Sequence, residues 1–230
     1  MKKLEYLNKY RGNKLTLIET ADLSQYKEYI PQKWIDALSA DDFSVQKKNA
    51  IQVWENSVSS ELRNTISYLK DYLISLDVAF DGKEYTLIYG IAHEKGVGFY
   101  EGRFTQNLDM NESLSNQWNN VPSSIKRFYE EVHNGFYYFA SRSMGLDPQE
   151  DVTCLGVEDW GILETLQEKP PICLDTSFGF FSSGAGGYVV IDTNANALDN
   201  ATLWFSNREP KYNKNFWDFV DEWIVIGFQN

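Results

Sequence analysis

Two histidines, two cysteines and a dense run of carboxylates are the groups through which this 230-residue chain has chemistry to offer. His93-Glu94 is the most enzyme-like dipeptide. No second histidine follows it four residues on, so it is not a helical zinc motif. The other histidine, His133, is far along the chain, and Cys154 and Cys173 belong to no C-x-x-C pair. Neither a zinc site nor any other cofactor is therefore expected. A nucleophilic cysteine needs a neighbouring base and an electropositive setting. The flanking residues supply neither, and both cysteines read as small core hydrophobes. His133 precedes Asn134-Gly135 at a helix end, where packing and a contact with the helix C-terminus are its expected roles. Ser183-Gly184-Ala185-Gly186-Gly187 comes before the strand pattern Tyr188–Asp192. A phosphate loop needs the reverse order, strand then loop then helix, so this is read as a flexible hairpin connection. Asp192 is placed to satisfy turn N–H groups.

The carboxylates are Asp147, Glu150, Asp151, Glu158, Asp159, Glu164 and Glu168, with only Lys169 nearby. A glycosidase needs two carboxylates at a fixed separation, which spacing along the chain does not supply. A hydrolase built on such a pair, or on His93, would reveal itself by a strongly shifted pKa in a concave pocket. The plainer reading is an acidic loop surface, usually a solvated face. If functional, it steers a basic protein toward the chain. Asp147, Glu150, Asp151, Glu158 and Asp159 are the partner-binding candidates.

The elements that would position these groups follow from periodicity. Trp118 to Gly135 carries Val121, Ile125, Phe128, Tyr129 and Val132 on one helical stripe, with Lys126, Arg127, Glu130 and Glu131 opposite. Pro122 suits the helix start, and Asn134-Gly135 is a stop signal because both accept the left-handed conformation. Ser44 to Ala79 has no glycine or proline, and its apolar residues recur every three or four positions. That predicts a helix pair broken near Asn56–Ser60, where Asn and Ser compete with the helix backbone. Tyr85–Ile91 and Phe99–Phe104 read as a hairpin, and 105–117 as a linker. Strands are predicted at Phe136–Ala140, Val152–Val157, Ile172–Leu174, Phe178–Phe181, Gly187–Asp192 and Ala201–Phe205, forming an antiparallel meander. Tyr212–Phe228 reads as a closing helix capped by Asn213 or Asn215. The whole is α+β, a mostly antiparallel sheet flanked by helices. Residues 1–113 form a helix-rich extension with a β-hairpin and 114–230 an α+β domain; the hairpin is either part of the same sheet or of a separate subdomain.

The formal charge is −12. Residues 1–113 carry 14 Lys+Arg against 17 Asp+Glu, and residues 114–230 carry 7 against 16, so net −9 falls in the C-terminal half. That balance repels phosphate backbones and anionic membranes and attracts a basic partner. Lys2-Lys3-Leu4 starts like a secretory leader, but Glu5, Asn8, Lys9 and Arg11 replace the apolar core such a leader needs. No run approaches a membrane span. A cytoplasmic protein with free thiols is expected, contacting neither nucleic acid nor membrane.

Three pieces resemble the SUKH superfamily, toxin-immunity proteins in bacteria and cell-wall-synthesis regulators in yeast. They are Trp118 with Pro122, Ile125, Phe128, Tyr129 and Asn134-Gly135; the strand Gly186–Asp192 after the aromatic strand Phe178-Gly179-Phe180-Phe181; and the closing segment Asn215–Ile224, which is similar to the family's final F-x-x-F-x-x-W/L segment. They span roughly residues 114–228. The resemblance implies a sheet flanked by helices, no catalysis, and neutralisation of a cognate toxin encoded nearby, often a nuclease or deaminase. The fungal members imply the alternative of a regulatory scaffold with several partners.

Overall fold

The computed structural model describes residues 3–12, 14–106, 110–195 and 199–230. The chain opens with α1 (Lys3–Tyr10), a short edge strand β1 (Thr16–Ile18), a 3-10 turn over Thr20–Tyr26, and α2 (Gln32–Leu38). Next come α3 (Phe43–Val58) and α4 (Arg63–Tyr72). The predicted break between them falls at 59–62, opening on Ser59 and Ser60 of the stretch that signals it. From Leu73, however, the chain is β2 (Leu73–Phe80), entered straight from α4 with no turn residue. Leu69, Leu73 and Leu76 keep the helical spacing. Pairing of β2 with β1 on one side and β3 (Tyr85–His93) on the other decides the backbone instead, helped by the β-branched Ile74 and Val78.

The predicted hairpin is β3 with β4 (Gly96–Arg103). The linker reading for 105–117 gives way to α5 (Glu112–Gln117), capped by the Asn111 side chain onto Leu114 N; residues 107–109 lie outside the described residues. After a 3-10 turn at Trp118–Asn120 comes α6 (Ser123–Glu131), with Pro122 as its N-cap. Beyond it lie β5 (Phe136–Tyr138), β6 (Ser143–Leu146), β7 (Thr153–Cys154), β8 (Ser177–Ser182), β9 (Gly187–Asp192), β10 (Asn200–Phe205), β11 (Lys211–Asn215) and α7 (Phe216–Phe228). Three expectations change here. Ile172–Leu174 forms no strand, β6 and β11 had no alternation strong enough to announce them, and the closing helix starts at Phe216 rather than Tyr212. Asn215 caps it by accepting from Asp218 N at 3.0 Å.

Among the described residues the strands form one antiparallel sheet in the order β1-β2-β3-β4-β5-β6-β8-β9-β10-β11, with β7 also on β8. β4 pairs with β5, so strands from 1–113 and 114–230 share the sheet. Helices α2, α3, α4, α6 and α7 bury one of its faces in a single cluster that includes Trp34, Trp54, Ile66, Tyr89, Phe128, Phe136, Phe180 and Ile224. The other face has two covers. α1 packs Leu7 against Ile88, Phe99 and Phe139. The segment between β7 and β8 packs Leu155 and Trp160 against Val190 and Trp204.

A chain of hydrogen bonds pins the helical layer to the sheet. Trp54 on α3 donates Nε1–H to the Tyr89 hydroxyl at 3.2 Å. Tyr89 Oη and His133 Nε2 are 2.6 Å apart, and His133 Nδ1 is 3.1 Å from the Arg103 carbonyl on β4. A carbonyl only accepts, so Nδ1 carries the ring proton and Nε2 accepts from Tyr89. Trp34 of α2 stacks on the imidazole at 4.7 Å and donates its own N–H to Val132 O. The sheet runs so close that a Cβ on Gly102 would lie 2.5 Å from the ring. Of the two roles expected of His133, packing is seen, since the imidazole is fully buried; its ring nitrogens bond to Tyr89 on β3 and the Arg103 carbonyl on β4 rather than to the helix C-terminus.

α4 has no side chain capping its own start. The cap arrives from α7: Asp221, 5% exposed, accepts from Asn64 N at 2.9 Å and Thr65 N at 2.7 Å. Asp221→Ala removes both acceptors and strands two N–H groups. We expect a loss of about 2 kcal/mol in urea unfolding, and a change within error would show that the cap contributes nothing.

Candidate functional site

The carboxylate run does not form one surface. Asp147, on the chain leaving β6, is 7% exposed. Its Oδ1 accepts from Ser182 Oγ at 2.8 Å, while its carbonyl accepts from Tyr129 Oη at 2.7 Å. Burial, reinforced by the neighbouring Asp151, pushes its carboxyl up to about 8, against the opposing pull of the Ser182 bond and of Arg142. Glu150 pairs with Arg103, which also pairs with Glu84, and it accepts from Asn134 Nδ2. Asn134 is itself buried and accepts Gln149 N at 2.9 Å. Its role is to hold the 147–150 leg; of the presumed stop pair only Gly135 takes a left-handed conformation, at φ +88°, and a Cβ there would meet Pro148 N at 2.7 Å. Asp147 is thus buried and Glu150 half-buried with both carboxylate oxygens engaged by Arg103 and Asn134, a correction to their reading as docking residues, because the fold itself uses these groups.

Asp151, Glu158 and Asp159 are exposed. Asp151 lies 3.7 Å from Arg142. Glu158 and Asp159 belong instead to the long excursion between β7 and β8, which carries 3-10 turns at Leu155–Val157, Gly161–Glu164 and Leu174–Thr176. Glu164, Glu168 and Asp175 are exposed on the same excursion. Among the described residues no cation pairs with Glu158, Asp159, Glu164 or Glu168. Val157, next to Glu158 in the chain, is 71% exposed, the most open of the large hydrophobic residues described.

This excursion is fixed from below. Trp160 donates Nε1–H to Leu155 O at 2.8 Å, closing the turn that presents Val157. Its ring meets Trp204 edge-on at 5.6 Å and Tyr188 at 5.8 Å. Gly156 packs so tightly on Asp175 that a Cβ would lie 2.3 Å from its carboxylate. Asp192 closes the exit: Oδ2 accepts Cys173 N at 3.0 Å, and Oδ1 accepts Thr176 Oγ1 at 2.7 Å and Asn194 N at 3.0 Å. That includes the turn N–H role expected of it. Sequence reasoning missed Val157, Trp160 and Trp204. The alternation Tyr188, Val190 against Val189, Ile191 shows that β9 is apolar on both faces, which is the signal that something covers the second one.

The remaining candidates sit apart. Cys154 is buried, its thiol 3.8 Å from Asp175 O, but Cys173 is exposed rather than a core residue. His93 ends β3, and 183–186 is the β8–β9 hairpin connection, with Gly184 and Gly186 at positive φ. No group of three or more His, Cys, Asp or Glu among the described residues is arranged to hold a metal. No helix among them is long and apolar enough to cross a membrane.

Asp147 has a measurable consequence. Its proton is held in the folded state up to about pH 8 and released near pH 4 in the unfolded chain. The folded state therefore binds the extra proton between those values, and stability falls as pH rises through that window. Asp147→Asn keeps the shape and cannot ionise. It is expected to match the parent near pH 4 and to exceed it at pH 8 by a few kcal/mol; parallel stability–pH curves from urea melts would sink this account.

Comparison with protein-family models, with curated proteins and with solved structures finds no match.

Proposed function

We propose that this chain is a non-catalytic immunity protein that binds and blocks a basic toxin domain through the acidic face of the β7–β8 excursion. The observation that carries the reading is the pairing of Glu158, Asp159, Glu164 and Glu168, all without a cation among the described residues, with an exposed Val157 on a buried Trp160–Trp204 pedestal. Unneutralised charge at a surface accelerates encounter with an oppositely charged partner. A rigid apolar knob gives that partner something to bury without an ordering cost. A net −9 over residues 114–230 favours a partner with a basic cleft, such as a nuclease or deaminase. The SUKH-like pieces support the same reading. Many of their aromatic residues, among them Phe128, Tyr129, Phe178 and Phe216, are buried, and none belongs to the excursion, so the contact residues are sought on the excursion itself.

The decisive test is growth rescue. The chain is co-expressed with the C-terminal domain of the large protein encoded immediately upstream of its gene. Rescue from a killing domain is the expected result; killing without protection rejects cognate immunity to it. With the purified pair, reversing Glu158 and Asp159 to Lys is expected to slow association at least several-fold at low salt and little at high salt. Val157→Ala is expected to speed dissociation about five-fold with association unchanged. Association rates indifferent to the charge reversal would move the contact elsewhere on the molecule.

A further inference from the structure

The bond chain through His133 has a single workable polarity, and that polarity is exposed to acid. Arg103 O takes the Nδ1 proton, Nε2 takes the Tyr89 proton, and the Tyr89 oxygen already accepts from Trp54. A second proton on the ring would turn Nε2 into a donor facing Tyr89. The phenol would then have to accept twice and aim its own proton at apolar neighbours, which costs the full penalty of an unmade buried bond. His133 is fully buried, so water cannot take up the difference. The groups around it offer no relief. α2 brings Trp34 and, further out, the Lys33 ammonium, whose partner is Glu131 of α6. β4 brings the Arg103 backbone; its guanidinium is engaged by Glu84 and Glu150. β3 brings Tyr89, and α3 and β5 bring Trp54 and Phe136.

We propose that His133 is an acid-release latch: its protonation breaks the Trp54–Tyr89–His133–Arg103 chain and unseats the α2–α3 layer from the sheet. Burial, with Lys33 adding to it, holds the imidazole down to about 3, against the pull of the Arg103 carbonyl. The unfolded chain takes the proton near pH 6.5. The contribution of the neutral ring is therefore complete above that value and is lost progressively as pH falls toward 3. The two tryptophans in contact with the ring, Trp34 and Trp54, make the release visible as a change in emission.

The test is an acid titration of the full chain, followed by tryptophan emission and near-ultraviolet dichroism, with His133 observed directly by NMR. In the parent, His133 is expected to stay neutral while the fold persists and to take up its proton in the same transition that releases the tryptophans. His133→Gln keeps an acceptor for Tyr89 and has no proton to gain, so its acid transition is expected about one pH unit lower. An unchanged transition in that variant overturns the proposal, as does a parent imidazole that titrates near its ordinary value in an intact fold. Should the Gln variant fail to fold, Tyr89→Phe decides: removing the phenol is expected to raise the His133 pKa, and an unmoved value refutes the latch. The parent NMR titration stands without either variant.

Discussion

The structure depends on a neutral imidazole in a dry place. His133 sits where α6 ends, β4 passes and the α2–α3 layer presses down, and it satisfies a donor or acceptor on the strands facing it. An apolar residue there would leave the Tyr89 hydroxyl proton without an acceptor and the Arg103 carbonyl with the Asn134 N–H alone, and an unmade buried hydrogen bond is costly. The surrounding rings are arranged to tolerate no displacement: Trp34 is parallel to the imidazole, Trp54 is edge-on, and Gly102 lets the strand come within contact of it. Directional bonds within an otherwise non-directional core fix how the helical layer registers on the sheet.

A sheet this wide must cover two faces, and the chain solves them differently. One face is closed by five helices in a continuous core. The other is closed piecemeal, by the eight residues of α1 near β2–β5 and by the irregular β7–β8 excursion near β8–β10. Between the covers the outward side chains of β4 are charged: Glu101 pairs with Arg11, and Arg103 with Glu84 and Glu150. Arg11 also lies over the Phe139 ring at 3.9 Å, tying the end of α1 to the strand layer. The Arg11–Glu101 pair therefore ties the α1 cover to β4, while Arg103 ties β4 to the turn before β3 and to the segment after β6.

The excursion between β7 and β8 combines order below with charge above. Its tryptophan pedestal and the Asp192 bonds fix its path, while its carboxylates are left to solvent. A surface whose path is fixed in this way carries a low ordering cost if a partner meets it.

The sequence by itself determined the elements whose signals are local. The α6 stripe and its Pro122 start, the β3–β4 hairpin, the break after α3, β8–β10 and the Asn215 cap were all legible, because periodicity, turn residues and caps act over a few positions. Also legible were the α+β class, the large antiparallel sheet and the placement of excess acid in the C-terminal half. Only the tertiary structure decided the rest. β2 carries a helical spacing and becomes a strand because two neighbours offer it backbone partners. Asp221 looks like a wet-face carboxylate on α7 and caps α4 across the core. Asp147 and Asp159 look alike in sequence, yet one is buried and holds its proton while the other faces solvent. Val157 stands out only once Leu155 and Trp160 are seen to be anchored beneath it. For β2, Asp221 and Asp147, and for Trp160 on Trp204 beneath Val157, the deciding interaction joins residues distant in the chain, and nothing in the local pattern encodes which distant group will arrive.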